Sequence, residues 1–504
     1  MKNFNFNNLF IFDLANNHQG DIDHAIKIID SIGEVSRQNN IRGAFKFQFR
    51  NLDTFIHPEF KSRKDIANIP RFIETALSKE DFKILTQEVR NKGMITICTP
   101  FDEESVDKIA ELDIEIIKVA SCSASDRPLL RKIATAKKPV IASTAGLSID
   151  KIDRLVSFFE EQGIQFAIMH CVAIYPTPDN KLKLNQIDFL KSRYPNVPIG
   201  FSTHESPENL IPIKIAFSKG ATIFERHVGI ENNKYKLNKY SSTPQQIDKW
   251  IKSFFEAVDS CGGENRAPAE EIEINSLRSL MRGVYAKRDI PKGQILNNED
   301  IFFAMPLQEN QLTSGDWVDG LISDKVYNKN LPLSESIAKY DASNEQLIYS
   351  IILQVKAMLN NARIFFNKDV SLELSHHYGI ERIREFGAII FDLVNREYCK
   401  KIIVMLPRQK HPYHYHKRKE ETFHLLYGDM EVELEGNRAK LQPGEMFLVQ
   451  PGQWHKFHTL DGAIFEEIST THFNNDSFYE DEKIAKLSRE KRKTKIELSK
   501  FKIL

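Results

Sequence analysis

Eight times in its first 263 residues the chain alternates a short apolar run with an amphipathic stretch, and few folds accept that pattern. The apolar runs predict strands at Leu9–Leu14, Ala44–Gln48, Met94–Cys98, Ile114–Val119, Pro139–Ala142, Gln165–Met169, Val197–Phe201 and Thr222–Glu225. The amphipathic stretches predict helices over 22–37, 80–91, 102–111, 126–136, 148–162, 183–193, 206–218 and 244–260. The runs are continuous rather than alternating, as strands covered on both faces should be. Eight strand–helix repeats imply an α/β fold, a (β/α)8 TIM barrel over residues 1–263. A doubly wound open sheet is the alternative.

Such barrels place chemistry at the C-terminal strand ends. In order, the ends offer Asp13 with Asn16, Asn17 and His18; Lys46 and Gln48; Thr99 and Asp102; Lys118 and Ser121; Ser143 and Thr144; His170, Tyr175 and Thr177; Ser202 and His204; and Arg226 and His227. Two lysines among hydroxyls suit a phosphate and a carboxylate. Two histidines beside an acid suit a divalent metal with open positions. Taken singly, each has a plainer reading. The histidines suit hydrogen-bonded loops, the lysines suit ion pairs, and Asp102 and Ser206 suit helix N-caps.

Composition narrows the setting. The 504 residues carry 69 basic and 69 acidic side chains, which gives no charge bias toward nucleic acid or a membrane surface. The five cysteines are scattered and form no CxxC pair, which fits a reducing cytoplasm. The apolar run near the N-terminus is interrupted by Asp13 and reads as a strand rather than a signal peptide.

The strand-end motifs, NNHQG (16–20), KFQ (46–48), TPFDEESVD (99–107), KVAS (118–121), AST (142–144), HC and YPTP (170–178), FSTH (201–204) and FERH (224–227), resemble those of the sialic acid synthase family, the phosphoenolpyruvate-dependent nonulosonate synthases. The resemblance implies condensation of phosphoenolpyruvate with an aldose to a 3-deoxy-2-ulosonic acid. It implies Mn2+ or Mg2+ on His204 and His227, and a catalytic carboxylate and lysines at Asp13, Lys46 and Lys118. It implies phosphoenolpyruvate on Lys46, Lys118, Ser121, Ser143 and Ser202, with Thr99 also at the substrate and Gln48 and Tyr175 facing the sugar. The sugar half departs from the family pattern. Asp13 stands where the family has glutamate, Ser123 replaces an acid, and YKLNKYSS (235–242) replaces the GPDH segment, leaving Asn238 or Tyr240 as its substitute.

A Gly262-Gly263 pair and a Pro/Glu stretch read as a linker. RGVYAKRDIPKGQILNNEDI (282–301) and a weaker echo, DKVYNKNLPLSESI (324–337), each read as two short strands with a turn. Residues 278–340 resemble the antifreeze-like (SAF) β-clip domain of the same family. That implies a homodimer in which this domain reaches the partner barrel. Met305-Pro306 stands where the family has an arginine before proline.

Residues 345–361 predict an amphipathic helix, and 362 onward an all-β module, giving a third domain over 345–480 and a charged, helical or frayed tail over 481–504. HPYHYHKRKEETFHLLYG (411–428) and LQPGEMFLVQPGQWHKFH (441–458) resemble the cupin pattern HxH(x)4E(x)6G followed by PGxxH. His414, His416, Glu421 and His455 would then hold a second divalent metal: Mn2+, Fe2+, Zn2+ or Ni2+. An exposed His-rich hairpin is the plainer alternative. The module looks like sugar-isomerase cupins, with Lys419, Glu420 and Glu467 as candidates for moving protons. A regulatory or sugar-binding protein with a diverged barrel is the competing function.

Overall fold

A computed structural model describes residues 4–66, 68–263, 266–337, 344–365 and 370–496. The chain divides into two units, Met1–Ala267 and Pro268–Leu504.

In the first unit the strands β1 (Leu9–Asp13), β2 (Arg42–Phe49), β3 (Ile95–Pro100), β4 (Ile116–Val119), β5 (Val140–Ser143), β6 (Phe166–Cys171), β7 (Ile199–Thr203) and β8 (Ile223–His227) close into a parallel barrel in sequence order. The closure excludes the open sheet. Period-2 alternation decides what each strand sends inward. Leu9, Ile11, Ala44, Ile97, Ile116, Ile141, Ala167, Met169 and Ile223 form an apolar plug in the lower barrel. The next inward positions are Asp13, Lys46, Thr99, Lys118, Ser143, Cys171 and Glu225. Apolar residues thus fill the barrel up to the layer where its strands become polar. Phe10, Phe12, Phe45, Phe47, Phe201 and Phe224 point outward into the helical layer with Trp250 and Phe254.

Two details differ from the sequence expectation. Between β2 and β3 the chain forms the helices Leu52–Phe55 and Asn68–Glu74 before the expected one, Lys79–Asn91. Both are short, of four and seven residues, and neither buries a residue fully. The helix expected from 206 starts at Ile211, with Pro212 in its first turn. Ser206 is therefore no N-cap; its carbonyl accepts from Arg226 Nη2 at 3.0 Å. Asp102 is one, accepting from the Ser105 N–H at 2.7 Å.

The second unit begins with the helix Glu271–Arg278, where the linker was expected. β9 (Gly283–Ala286) pairs antiparallel with β10 (Ile301–Ala304). The echo at 324–337 makes isolated bridges, such as Tyr285 to Pro332, rather than strands of its own. Val284, Ile290, Leu296, Ile301, Leu312, Leu321, Tyr327 and Leu333 form its core.

The helix Asn344–Asn361 lays Ile351, Ile352, Val355 and Leu359 on the β domain that follows. That domain holds β11 (Ser371–Ser375), β12 (Ala388–Asn395), β13 (Tyr398–Met405), β14 (His414–Tyr415), β15 (Glu421–Gly428), β16 (Met430–Leu434), β17 (Asn437–Leu441), β18 (Met446–Val449), β19 (His455–His458), β20 (Ala463–Thr470), β21 (Phe478–Tyr479) and β22 (Lys493–Ile496). They form a seven-stranded sheet, β18-β15-β20-β13-β12-β11-β22, and a five-stranded sheet, β17-β16-β19-β14-β21. The tail, expected helical or frayed, holds two short helices, Glu482–Ala485 and Arg489–Arg492, and then a strand in place of a frayed end. β22 pairs antiparallel with β11, and Lys493 bonds to the buried Glu373. Residues 338–340 of the expected β-clip and 497–504 of the expected tail lie outside the described residues. Among the described residues no helix is long and apolar enough to cross a membrane.

Candidate active site and candidate metal centre

At the C-terminal mouth of the barrel lies a cavity of about 390 Å³. Asp13, Lys46, Gln48, Thr99, Lys118, Ser121, Ser143, Tyr175, Ser202, His204, His227 and Asn238 all line it. Register explains the convergence: Asp13 stands beside Lys46 on β2 and beside His227 on β8. Ser202 stands beside Glu225, and Gln48 beside Thr99.

Glu225 was missed by the sequence reading, which took Arg226 and His227 from strand eight. His227 faces inward, so Glu225, two residues earlier, must as well. Arg226 instead faces the helices. It lies over the Trp250 ring and 3.4 Å from Glu205. Glu225 Oε1 lies 2.9 Å from Lys46 Nζ and accepts from Ser202 Oγ at 3.0 Å, while Oε2 is 3.5 Å from Lys118 Nζ. Lys46 also meets Asp13 Oδ2 at 2.9 Å. Burial acts to raise the Glu225 carboxyl pKa, but Lys118 and Lys46 outweigh it and hold it low. Burial likewise pulls Lys46 down, and Asp13 and Glu225 more than reverse this. Lys118 stays lowered by burial despite Glu225, and it donates to Ser143 Oγ. The layer is two ammoniums interleaved with two carboxylates, all buried.

The histidines differ in character. Burial pushes His204 down to about 3, helped by its neighbour His227. Burial also lowers His227. Both imidazoles are neutral at physiological pH, the form that ligates metals. Their ring centres are 5.3 Å apart. His204 Nδ1 lies 2.9 Å from the Val172 carbonyl, which leaves Nε2 for the cavity. His227 Nδ1 is buried without a hydrogen-bond partner, and Nε2 is 3.4 Å from Asp13 Oδ2. This donor set fits a divalent cation that takes its other ligands from substrate and water.

Asn238 is held by the Tyr240 and Ser241 N–H groups on its Oδ1 and donates to Asn17. Tyr240 lines the cavity beside it, its ring 5.1 Å from Tyr175. Several strand-end residues lie off the cavity. His170 Nε2 bonds the Leu182 carbonyl, Thr144 the Met169 carbonyl and Thr177 the Ile174 carbonyl. Arg50 and Arg71 line the cavity and were not foreseen.

The β domain of the second unit brings His414, His416, Glu421 and His455 together, their ligand atoms all within 4.8 Å of one another. β14 and β19 set His414 opposite His455. All four side chains are buried, which excludes the exposed hairpin. Each imidazole keeps Nδ1 on a backbone carbonyl: Pro412 for His414, Asp476 for His416 and Gln453 for His455. That leaves each Nε2 pointing inward, as metal ligands require. The Asp476 carboxylate, unforeseen, accepts the N–H groups of Lys417, Arg418 and Lys419 and so fixes the turn carrying His416. Glu421 Oε2 and His455 Nε2 lie 3.2 Å apart, buried, and neither has a hydrogen-bond partner. A cation between them would satisfy both, so the residues fit a metal. Lys419 Nζ bonds Glu421 Oε1 at 2.6 Å and also bonds Glu467. His411, Tyr479, His472, Lys401 and Lys493 are among the other residues of the wall. Glu420 is off the cavity, because alternation turns it away from Glu421. His424 and His458 face Glu466 and Glu431 outside it.

Residues 42–266 match the NeuB family, and residues 401–466 match the cupin domain. A crystal structure named for spore coat polysaccharide biosynthesis protein E of Chromobacterium violaceum ATCC 12472 is 43% identical, with a TM-score of 0.63, covering 66% of this chain and 99% of that one. N-acetylneuraminate-9-phosphate synthase of Drosophila melanogaster is 26% identical over 61% of this chain and 89% of its own length. N,N'-diacetyllegionaminic acid synthase of Campylobacter jejuni is 23% identical over 64% and 97%. With its closed barrel and polar mouth, the chain belongs to the NeuB family of acid synthases, as a transferase that carries a cupin domain after its synthase part.

Proposed function

We propose that the barrel condenses phosphoenolpyruvate with an aldose to give a 3-deoxy-2-ulosonic acid and phosphate. The observation that carries this is the buried Lys46–Glu225–Lys118 layer beside two neutral histidines in one cavity. Lys46 and Lys118, with the hydroxyls of Ser121, Ser143 and Ser202, hold the phosphoenolpyruvate anion. Gln48, Tyr175 and Asn238 orient the sugar. His204 and His227 would hold a divalent cation, which when bound would supply Lewis acidity to the aldehyde oxygen. Carbon 3 of phosphoenolpyruvate bonds to the aldehyde carbon, water adds at carbon 2, and the carbon 2–oxygen bond to phosphate breaks; one proton of the water ends on the new hydroxyl and the other on the departing phosphate. Asp13 and Glu225, which line the same cavity, would stabilise the positive charge at that carbon and relay the protons of the incoming water.

Release of phosphate from phosphoenolpyruvate, measured against a panel of aldoses with Mn2+ or Mg2+, tests this. His204→Ala and His227→Ala should each abolish it; full activity in either would overturn the mechanism. In solution the protein is expected as a homodimer in the cytoplasm, its 278–340 domain serving the partner barrel.

For the cupin we propose a metal-dependent aldose–ketose isomerase, with Lys419 and Glu467 moving the proton between carbons 1 and 2. Its cavity, of about 50 Å³, is smaller than the barrel's and is lined by His414, His416, Lys419, Glu421 and Glu467. A second reading, a non-catalytic sugar-binding module, is favoured by the bonding of Lys419 to both Glu421 and Glu467, which occupies the proton carriers.

A further inference from the structure

A second chamber of about 200 Å³ opens beside the barrel cavity and shares Asn16, Gln48, Arg50 and Phe72 with it. Its remaining wall includes His18, Thr75 and Lys108, and no carboxylate lines it. In the larger cavity, Asp13 and Glu225 are engaged by Lys46 and Lys118. Arg50 and Arg71 are therefore surplus positive charge. Among the described residues neither they nor Lys108 makes an ion pair.

Arg50 is the sharpest case. Its guanidinium carbon lies 3.7 Å from the Phe101 ring centre and 4.1 Å from that of Phe72. The rings hold the planar group by its faces. One edge donates to Gln48 Oε1 at 3.0 Å, while Nε is buried with no partner. Arg50 is half-buried, and its charge is met by the two rings and Gln48 but by no carboxylate, which leaves a cation partly stripped of water and open to an anion. The stacked rings fix an in-plane N–H fork of the kind that binds phosphate or carboxylate oxygens in pairs. Arg71, on the helix Asn68–Glu74, lines the larger cavity, and Lys108 lines the chamber. Neither histidine of the barrel site borders the chamber.

We propose that the aldose carries an anionic group on its non-reacting end, a phosphate ester or a carboxylate, held by Arg50 and Lys108 in this chamber with Arg71 at its approach. The proposal rests on the synthase reading for calling the ligand an aldose, but its test does not depend on turnover.

Titration calorimetry on the full-length protein would compare mannose 6-phosphate, mannuronic acid and mannose. We expect at least one anionic sugar to bind about tenfold or more tighter than mannose, the arm that wins naming the anion. Arg50→Gln and Lys108→Gln should bring the ratio near one, while Arg50→Lys, which keeps the charge, should retain part of it. Thermal melts identify any variant that fails to fold, and Arg71→Gln, at an exposed position, supplies an independent reduction of the ratio. Equal binding of all three sugars by the wild type overturns the proposal, even if the protein condenses phosphoenolpyruvate with an aldose. So does a loss confined to phosphoenolpyruvate affinity in the arginine variants, which would assign these cations to the other substrate. If the anionic preference is found but no aldose releases phosphate from phosphoenolpyruvate, the synthase reading fails and the anion site stands.

Discussion

Glu225 is the residue that the barrel most needs and that the motifs least advertise. It lies between two buried ammoniums, and removing one partner of a buried ion pair typically costs about 3–5 kcal/mol, because the remaining charge is left uncompensated. Lys46 would keep Asp13, but Lys118 would keep only neutral partners. Glu225→Gln should therefore lower the melting temperature of the protein by several degrees. Phosphoenolpyruvate should restore more of that stability in the variant than it adds to the wild type, since its anion replaces the missing carboxylate. A melting curve like the wild type's, with and without phosphoenolpyruvate, would show that Glu225 does not hold the layer together. The residue was legible in principle, because His227 fixes the parity of β8 and Glu225 shares it. It was passed over because FERH reads as a motif rather than as an alternating strand. Arg50 and Arg71 were legible in no such way: one follows the end of β2 and the other sits on a seven-residue helix in the connection that follows it.

At the scale of elements, long periodic segments carried their own assignment and short irregular ones did not. The barrel strands announced themselves as continuous apolar runs because both of their faces are covered. β22 could not, since Lys493–Ile496 reads as part of a charged tail until β11 supplies the edge it completes. The small unit built on β9 and β10 depends more on side-chain anchors than on strand length, and Asp300 is its central one. Asp300 is fully buried; it accepts from Arg288 Nε at 2.8 Å, Gln294 Nε2 at 3.0 Å and the Asn297 N–H at 3.0 Å. Burial would raise its carboxyl pKa, but these donors win and hold it low. A carboxylate with a depressed folded pKa contributes stability in full above its unfolded value, near pH 4, and loses it as pH falls through the folded value. Asp300→Asn should cost this unit about 1–3 kcal/mol at neutral pH. The gap between variant and wild type should close as the pH drops below about 4. Calorimetric melts between pH 3 and 7 would check it, and a gap that widened on acidification would contradict the assignment.

Across the whole molecule, two sites of different chemistry sit on one chain. The barrel site has two neutral imidazoles and a charged layer suited to a phosphorylated acid. The cupin site has three imidazoles and a carboxylate beside a cavity of about 50 Å³. The donors of each could be named from the sequence because each motif sets them at fixed strand parity; the chamber beside the barrel cavity could not, since it arises from segments distant in sequence. If the cupin makes the aldose that the barrel consumes, a ketose should serve as an indirect substrate. Supplied with phosphoenolpyruvate, the divalent metal and the matching ketose in deuterated water, the full-length protein should release phosphate. The product should carry one solvent deuterium at the carbon that was carbon 2 of the aldose. His416→Ala or His455→Ala should lose ketose-driven release out of proportion to any loss with the aldose itself, because only the first route passes through the cupin. Release from the ketose that is equal in the wild type and both variants, or absent in all three while the aldose is consumed, would leave the cupin as a binding module.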